Sequence, residues 1–370
     1  MGFIPVNEPL FDGNEKKYLM DCIDTGWISS AGSYVTKLEE GVASYVGRRG
    51  GVSVCNGTAA LEVAVEALEI PKGSEVILPA FTIISCANAV IKAGLVPVLV
   101  DAVPATWNMD VSQIESKITS KTKAIMAVHI YGLPVDMKPL LDIAKKHNLY
   151  VIEDAAEAIG VTCYGKQCGS FGDISAMSFF ANKHITTGEG GMVLADDEKL
   201  ITRSGRVKNL FFDAERRYIH DEIGSNFRMT NIQAAIGVAQ LEKLDEHMKL
   251  KRSIGVKYNE LLAGNGHFTL PVDTTDYAEN KYWIYGMVIN DDIDADATFA
   301  MSKLKEMGIG TRHFFYPLHL QPAYNKLGLF EGESYPVAEN LAKKGFYVPA
   351  GMGITDEQIE QVAECVKKIF

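Results

Sequence analysis

No apolar run in the 370-residue chain reaches the ~20 residues that a bilayer-spanning helix requires. The first residues hold no basic stretch followed by an apolar core, so no secretory signal is expected. There is no C-x-x-C pair. The six cysteines (Cys22, Cys55, Cys86, Cys163, Cys168, Cys365) lie scattered, which in a chain of this length reads as free thiols in a reducing cytoplasm, with no metal site. A disulfide between Cys163 and Cys168 is conceivable, and free thiols are the expected state. Basic residues are also scarce: 36 Lys and Arg face 47 Asp and Glu, for a net charge of −11. A phosphate-rich surface calls for the opposite balance, so neither nucleic acid nor an anionic membrane is an expected partner. A small anionic ligand needs only a local pocket and stays open. Internal repeats and low-complexity tracts are missing too.

What is present is an ordinary globular composition, 47% apolar and 22% charged. At roughly 150 residues per domain the length suggests two domains. Short β-rich runs alternate with helical patterns, as in a parallel sheet with crossover helices. Strands are expected at 51–55, 75–79, 96–101, 123–131, 149–154, 173–180 and 191–196, several of them apolar throughout, as strands buried on both faces should be. Helices are expected between them, for example Thr58–Leu68 and Met137–His147. Past residue 240 a charged helical stretch leads into a β-like run at 282–289, a helical run at 297–308 and a closing helix from Thr355. The reading is α/β: a large domain with a mostly parallel sheet over 1–240, then a smaller α+β domain over 241–370.

Three segments fall where strands end, the edge at which open parallel sheets bind ligands. Asp154 closes the strand of V-I-E-D-A-A-E-A (151–158); alone, it reads first as a helix cap. Lys183 follows a buried strand in S-F-F-A-N-K-H-I-T-T-G-E-G-G (178–191), whose glycines permit positive φ and close approach of something bulky. Alone, it reads as a surface charge beside a tight turn. In C-N-G-T-A-A-L (55–61) a strand, a turn and a helix start present backbone N–H groups and a hydroxyl, which suit a phosphate or a plain cap. Each signal is weak. Together they meet the three demands of pyridoxal phosphate (PLP): an anchored phosphate, an anionic partner for the ring nitrogen and a lysine amine for the Schiff base.

These blocks, with G-W-I-S-S (26–30), N-F-R-M-T-N-I-Q-A-A-I-G (226–237) and R-H-F-F-Y-P-L-H (312–319), cover nearly the whole chain. They resemble the nucleotide-sugar aminotransferases (DegT/DnrJ/EryC/StrS-type), within the aspartate-aminotransferase-like fold type I group. The resemblance implies Lys183 as the Schiff-base lysine, Asp154 on the pyridine nitrogen and Ser178 with Gly57, Thr58 and Ala59 on the phosphate. It implies Glu157 near the ring hydroxyl, where many relatives carry glutamine, and Asn226 reaching the cofactor of a neighbouring subunit in a homodimer with shared sites. Ile83 stands where relatives usually stack an aromatic on the ring, and His313 where the most similar subgroup usually has proline. The implied substrates are L-glutamate and a nucleotide-linked keto sugar, most like GDP-4-keto-6-deoxy-mannose; a dTDP- or UDP-linked 4-keto sugar, or a sugar dehydratase on the same fold, are the alternatives. Trp27, Ser29, Arg228, Arg312 and His319 are the candidate substrate contacts. Trp27 reads equally as core packing and His319 equally as a structural histidine.

Overall fold

The computed structural model describes residues 2–213, 215–216 and 218–370. A seven-stranded sheet dominates it, built from β1 (Gly50–Val54), β2 (Glu75–Pro79), β3 (Val96–Val100), β4 (Thr122–Val128), β5 (Tyr150–Asp154), β6 (Ile174–Ser178) and β7 (Gly191–Ala195). Their order across the sheet is β1-β7-β6-β5-β4-β2-β3. All seven lie within a few residues of the strands expected. Five residues of β6 and five of β7 are buried without exception, as strands covered on both faces require.

Six strands run one way. β7 alone is reversed, pairing antiparallel with both β6 and β1. The cause is local: a parallel return needs a crossover of a dozen or more residues, normally a helix, and the 179–190 connection contains none. Lys183 therefore sits on a reversal loop. Elsewhere the crossovers are helices such as α1 (Gly57–Ala67) and α2 (Ile84–Lys92). The run expected as strand over 123–131 stops at Val128, and Tyr131 turns away at φ 57°.

After α3 (Leu244–Leu262) comes a smaller antiparallel sheet of β8 (Phe268–Thr269), β9 (Tyr285–Ile289), β10 (Arg312–His313) and β11 (Gly345–Val348), in the order β8-β9-β11-β10. It shares a core with α3, the closing helix Asp356–Val366 and Ile4 from the chain start. The two sheets meet through aromatic packing: Phe314 lies 5.1 Å from Trp107 and 4.9 Å from Tyr131, ring centre to ring centre. All six cysteines are free, Cys163 and Cys168 included. Among the described residues no helix is long and apolar enough to cross a membrane.

Candidate active site

At the carboxyl edge of the large sheet, facing β10 and β11, lies a cavity of about 800 Å³. Gly57, Thr58, Ile83, Asp154, Glu157, Ser178, Lys183 and Arg312 all line it. Blocks scattered over some 250 residues are thus brought to one place by strand ends.

The first corner is the start of α1. Asn56 caps the helix by accepting from Ala59 N–H at 2.8 Å, so that donor is occupied; Gly57 and Thr58 N–H precede the helical ladder. Thr58 and Ser85 hydroxyls bond each other at 2.8 Å, and Ser178 completes a group of three cavity hydroxyls. A Cβ on Gly57 would fall 2.7 Å from Ser178 Cβ. Only glycine lets these two walls come this close. The result is a small polar cradle with helix-start donors, which fits a phosphate.

The second corner is Asp154. Its Oδ1 accepts Ala156 N–H at 3.0 Å and its Oδ2 accepts the Cys86 thiol at 3.2 Å. Burial pushes its carboxyl upward, and those two donors with the Lys183 charge pull it back only partly. Among the described residues no cation bonds it directly. A buried carboxylate short of a cation is what a protonated ring nitrogen would satisfy.

The third is Lys183, its amine 3.5 Å from Glu157 Oε1 and 3.6 Å from the centre of the Trp283 ring. Burial lowers its affinity for a proton, opposed by Glu157 and then Asp154. Glu157 is pushed up to about 7 by burial, against the pull of Lys183 and of Tyr131 N–H, which it binds at 2.8 Å. A buried amine that yields its proton more readily than a surface lysine suits carbonyl binding. The neighbouring His184 is buried and absent from the cavity lining, and burial holds its ring neutral.

Other expected residues lie off this cavity. Asn226 is exposed and accepts from Arg228 Nε at 2.7 Å, on a segment that pairs with the end of β1. Trp27 is 57% exposed and Ser29 is exposed. Ala59 is buried behind the cradle. His319 is buried, bonded to Glu339 at 3.0 Å and packed on Tyr335. Sequence reasoning missed Ser85, Cys86, Tyr131, Trp283 and Tyr347. Ser85 and Cys86 could have been found one turn into the helix after Thr82; Trp283 and Tyr347 arrive from the other sheet and leave no local signal. Among the described residues one cluster of metal-type side chains exists, His129, Glu153 and Cys168. It is already satisfied: His129 Nδ1 accepts Val135 N–H, Nε2 pairs with Glu153, and Glu153 also accepts Gly169 and Phe171 N–H.

A phosphate cradle, a cation-poor buried carboxylate and a buried lysine around one cavity define a PLP-dependent aminotransferase of the aspartate-aminotransferase-like fold. The chain belongs to the DegT/DnrJ/EryC1/StrS aminotransferase family, whose model matches residues 9–367. It is 41% identical over 370 residues to the GDP-perosamine synthase of Vibrio cholerae, covering 99% of each chain. It is likewise 41% identical to that of Escherichia coli O157:H7, over 100% of this chain and 99% of the other. Among solved structures it resembles the PLP form of the putative sugar aminotransferase Spr1654 of Streptococcus pneumoniae, with TM-score 0.91, 26% identity and coverage of 100% and 98%. The chain is a sugar aminotransferase.

Proposed function

We propose that the enzyme moves an amino group from L-glutamate to C4 of GDP-4-keto-6-deoxy-mannose, giving GDP-perosamine. The observation that carries this reading is the 41% identity to GDP-perosamine synthases over essentially the whole chain. The cavity, about 800 Å³, has room for cofactor and sugar together.

PLP, when bound, supplies an aldehyde carbon and a protonated ring that draws electrons from bonds made to that carbon. Lys183 Nζ would hold the aldehyde carbon, and its freed amine would take the proton from the glutamate Cα and return it as an acid. Asp154 would keep the ring nitrogen protonated. Gly57 and Thr58 N–H, with the Thr58 and Ser178 hydroxyls, would hold the phosphate. Glu157 would meet the ring hydroxyl, and Ile83 would offer the ring an aliphatic side chain. Arg312, exposed at the cavity rim on β10, meets the anionic sugar nucleotide. The lysine on the cavity, with His184 buried away from it, favours transamination over the dehydratase alternative. We also divide the chain into a cofactor-binding domain, 1–240, and a smaller domain, 241–370, and place the enzyme in the cytoplasm.

Asn226 and Arg228, with Trp27 and Ser29, serve the cavity of a second copy in a homodimer. The exposed apolar side chains Phe11, Met20, Ile23, Trp27 and Ile28 support such a contact. Mixing Lys183→Ala with Asn226→Asp subunits should then restore activity, because one hybrid site is intact; no recovery after demonstrated exchange would make each chain self-sufficient. The substrate is tested by kcat/KM for GDP-, dTDP- and UDP-linked 4-keto-6-deoxy sugars. A site that bonds a hydroxyl rejects an analogue lacking it by ~10⁴-fold. Preference for a dTDP- or UDP-linked glucose-series sugar would overturn the substrate and leave the aminotransferase standing.

A further inference from the structure

Trp283 has no part in the chemistry above, yet its ring centre lies 3.6 Å from the Lys183 amine, and Glu157 Oε1 lies 3.5 Å from the same nitrogen. Both walls are fixed. The Trp283 indole N–H donates to Asn182 C=O at 2.7 Å, and its own carbonyl accepts from Lys251 at 3.0 Å. Glu157 Oε2 takes Tyr131 N–H, and the Tyr131 ring in turn lies 5.9 Å from that of Trp283. Tyr131 is itself held in the left-handed region, φ 57°, with its hydroxyl accepting Phe315 N–H at 3.0 Å. At the next residue a Cβ would fall 2.4 Å from Trp283 N, so Gly132 lets this turn sit directly against the tryptophan. One turn thus braces the carboxylate and the ring together.

We propose that Glu157 and the Trp283 ring form a resting site for the free Lys183 ammonium, setting where that amine waits and how readily it yields its proton. The inference rests on the aminotransferase reading. A buried ammonium loses its hydration, and a carboxylate and an aromatic face are the two groups that replace it. When the amine must act as a nucleophile or base, its N–H bond breaks and an O–H bond forms on Glu157 Oε1. An ion pair becomes a neutral pair, and no other reactant is needed. Burial brings the two partners toward each other, Glu157 up to about 7 and Lys183 down from the usual lysine range. The other titratable groups facing Glu157 are Asp154 and, on neighbouring elements, Tyr131, Tyr347 and Cys86. Burial pushes the last three up, so they stay neutral near pH 7. Asp154 is then the other anion that bears on Lys183, and it ranks behind Glu157.

The test is competitive acetylation of the full-length chain freed of cofactor, across pH 5–10, with the Lys183 peptide quantified by mass spectrometry. Glu157→Gln, close to isosteric, should lower the Lys183 titration midpoint by about 1–3 pH units, as loss of a contacting opposite charge does. Trp283→Leu should lower it by about 0.4–1.5 pH units, the span that a cation–π contact represents. Trp283→Phe keeps an aromatic face and should restore most of that loss. An unmoved or raised midpoint in Glu157→Gln would overturn the resting site, as would Trp283→Phe matching Trp283→Leu. Borohydride reduction of the loaded wild-type protein keeps the two readings apart. If it labels Lys183 while the midpoints stand still, only the resting site falls; if it labels another lysine, the aminotransferase assignment falls as well.

Discussion

The two walls of the cavity are made differently. One is polar and built on strand ends of the large sheet: Gly57, Asp154, Ser178 and Lys183 each stand at or just past the carboxyl end of a strand, where backbone hydrogen bonding fixes them. The other is largely aromatic and comes from the smaller sheet: Trp283, Phe315 and Tyr347, with Arg312 as its cation. Groups that handle protons and charge need their positions held to fractions of an ångström, which rigid strand ends supply. A surface that reads a bulky sugar nucleotide needs area and shape, which aromatics supply at low entropic cost. The division assigns turnover to the first wall and substrate affinity to the second, with Trp283 alone reaching across to the Lys183 amine.

Asp154→Ala offers the strongest way to break that division. The variant keeps the fold, since the carboxylate's own partners are one backbone N–H and one thiol. It should lose about 10²–10³-fold or more in kcat, the scale set by removing a preorganised electrostatic partner, with KM little changed. Near-normal turnover would reduce Asp154 to a turn-capping residue and leave the polar wall without its ring partner.

Arg312→Ala probes the other wall. Arg312 is exposed, and among the described residues no ion pair engages it, so its removal leaves no buried charge stranded. Losing a charge-assisted bond to an anionic substrate should cost ~1.5–3 kcal/mol, roughly 10–150-fold, in KM, with kcat nearly intact. A fall in kcat with KM unchanged would show that Arg312, and not Trp283 alone, takes part in the chemical step.

The same contrast explains what the sequence disclosed. The polar wall was legible because it is local: an apolar strand, then one polar residue, then a turn, three times over. The seven strands followed from the same runs. The reversal at β7 was readable in principle from the missing helix between Ser178 and Gly191, yet a glycine-rich loop drew attention to its ligand chemistry instead. The aromatic wall was not legible. Trp283 is the second residue of a run that reads simply as a buried strand, and nothing in Y-W-I-Y-G-M-V-I tells that its ring meets an amine 100 positions earlier. Asn226 and Arg228 stand out only through family resemblance, because a single chain gives them no cavity to line.

Behind the aromatic wall lies a smaller effect that can sharpen the comparison. Lys251, on α3, is buried, and its amine donates to Trp283 C=O at 3.0 Å and to Ala350 C=O at 2.5 Å. Among the described residues no carboxylate pairs with it, and burial alone brings it down to about 7. A neutral amine has two N–H bonds, enough for both carbonyls, so the wall can hang from Lys251 without a buried charge. The sign of the pH dependence follows. From about pH 7 to 10 the unfolded chain binds a proton at this lysine that the folded chain does not, so stability rises with pH, by up to ~1.4 kcal/mol per pH unit. That contribution is lost as pH falls toward 7. Lys251→Met fills similar space and abolishes the titration, while leaving two carbonyls short of a donor at ~1–3 kcal/mol each. Urea denaturation at pH 7, 8 and 9 should therefore show the wild type gaining on Lys251→Met at each step. Parallel curves would mean that Lys251 keeps its proton in the folded state, and the aromatic wall would then be suspended from a buried cation, as dependent on electrostatics as the polar wall it faces.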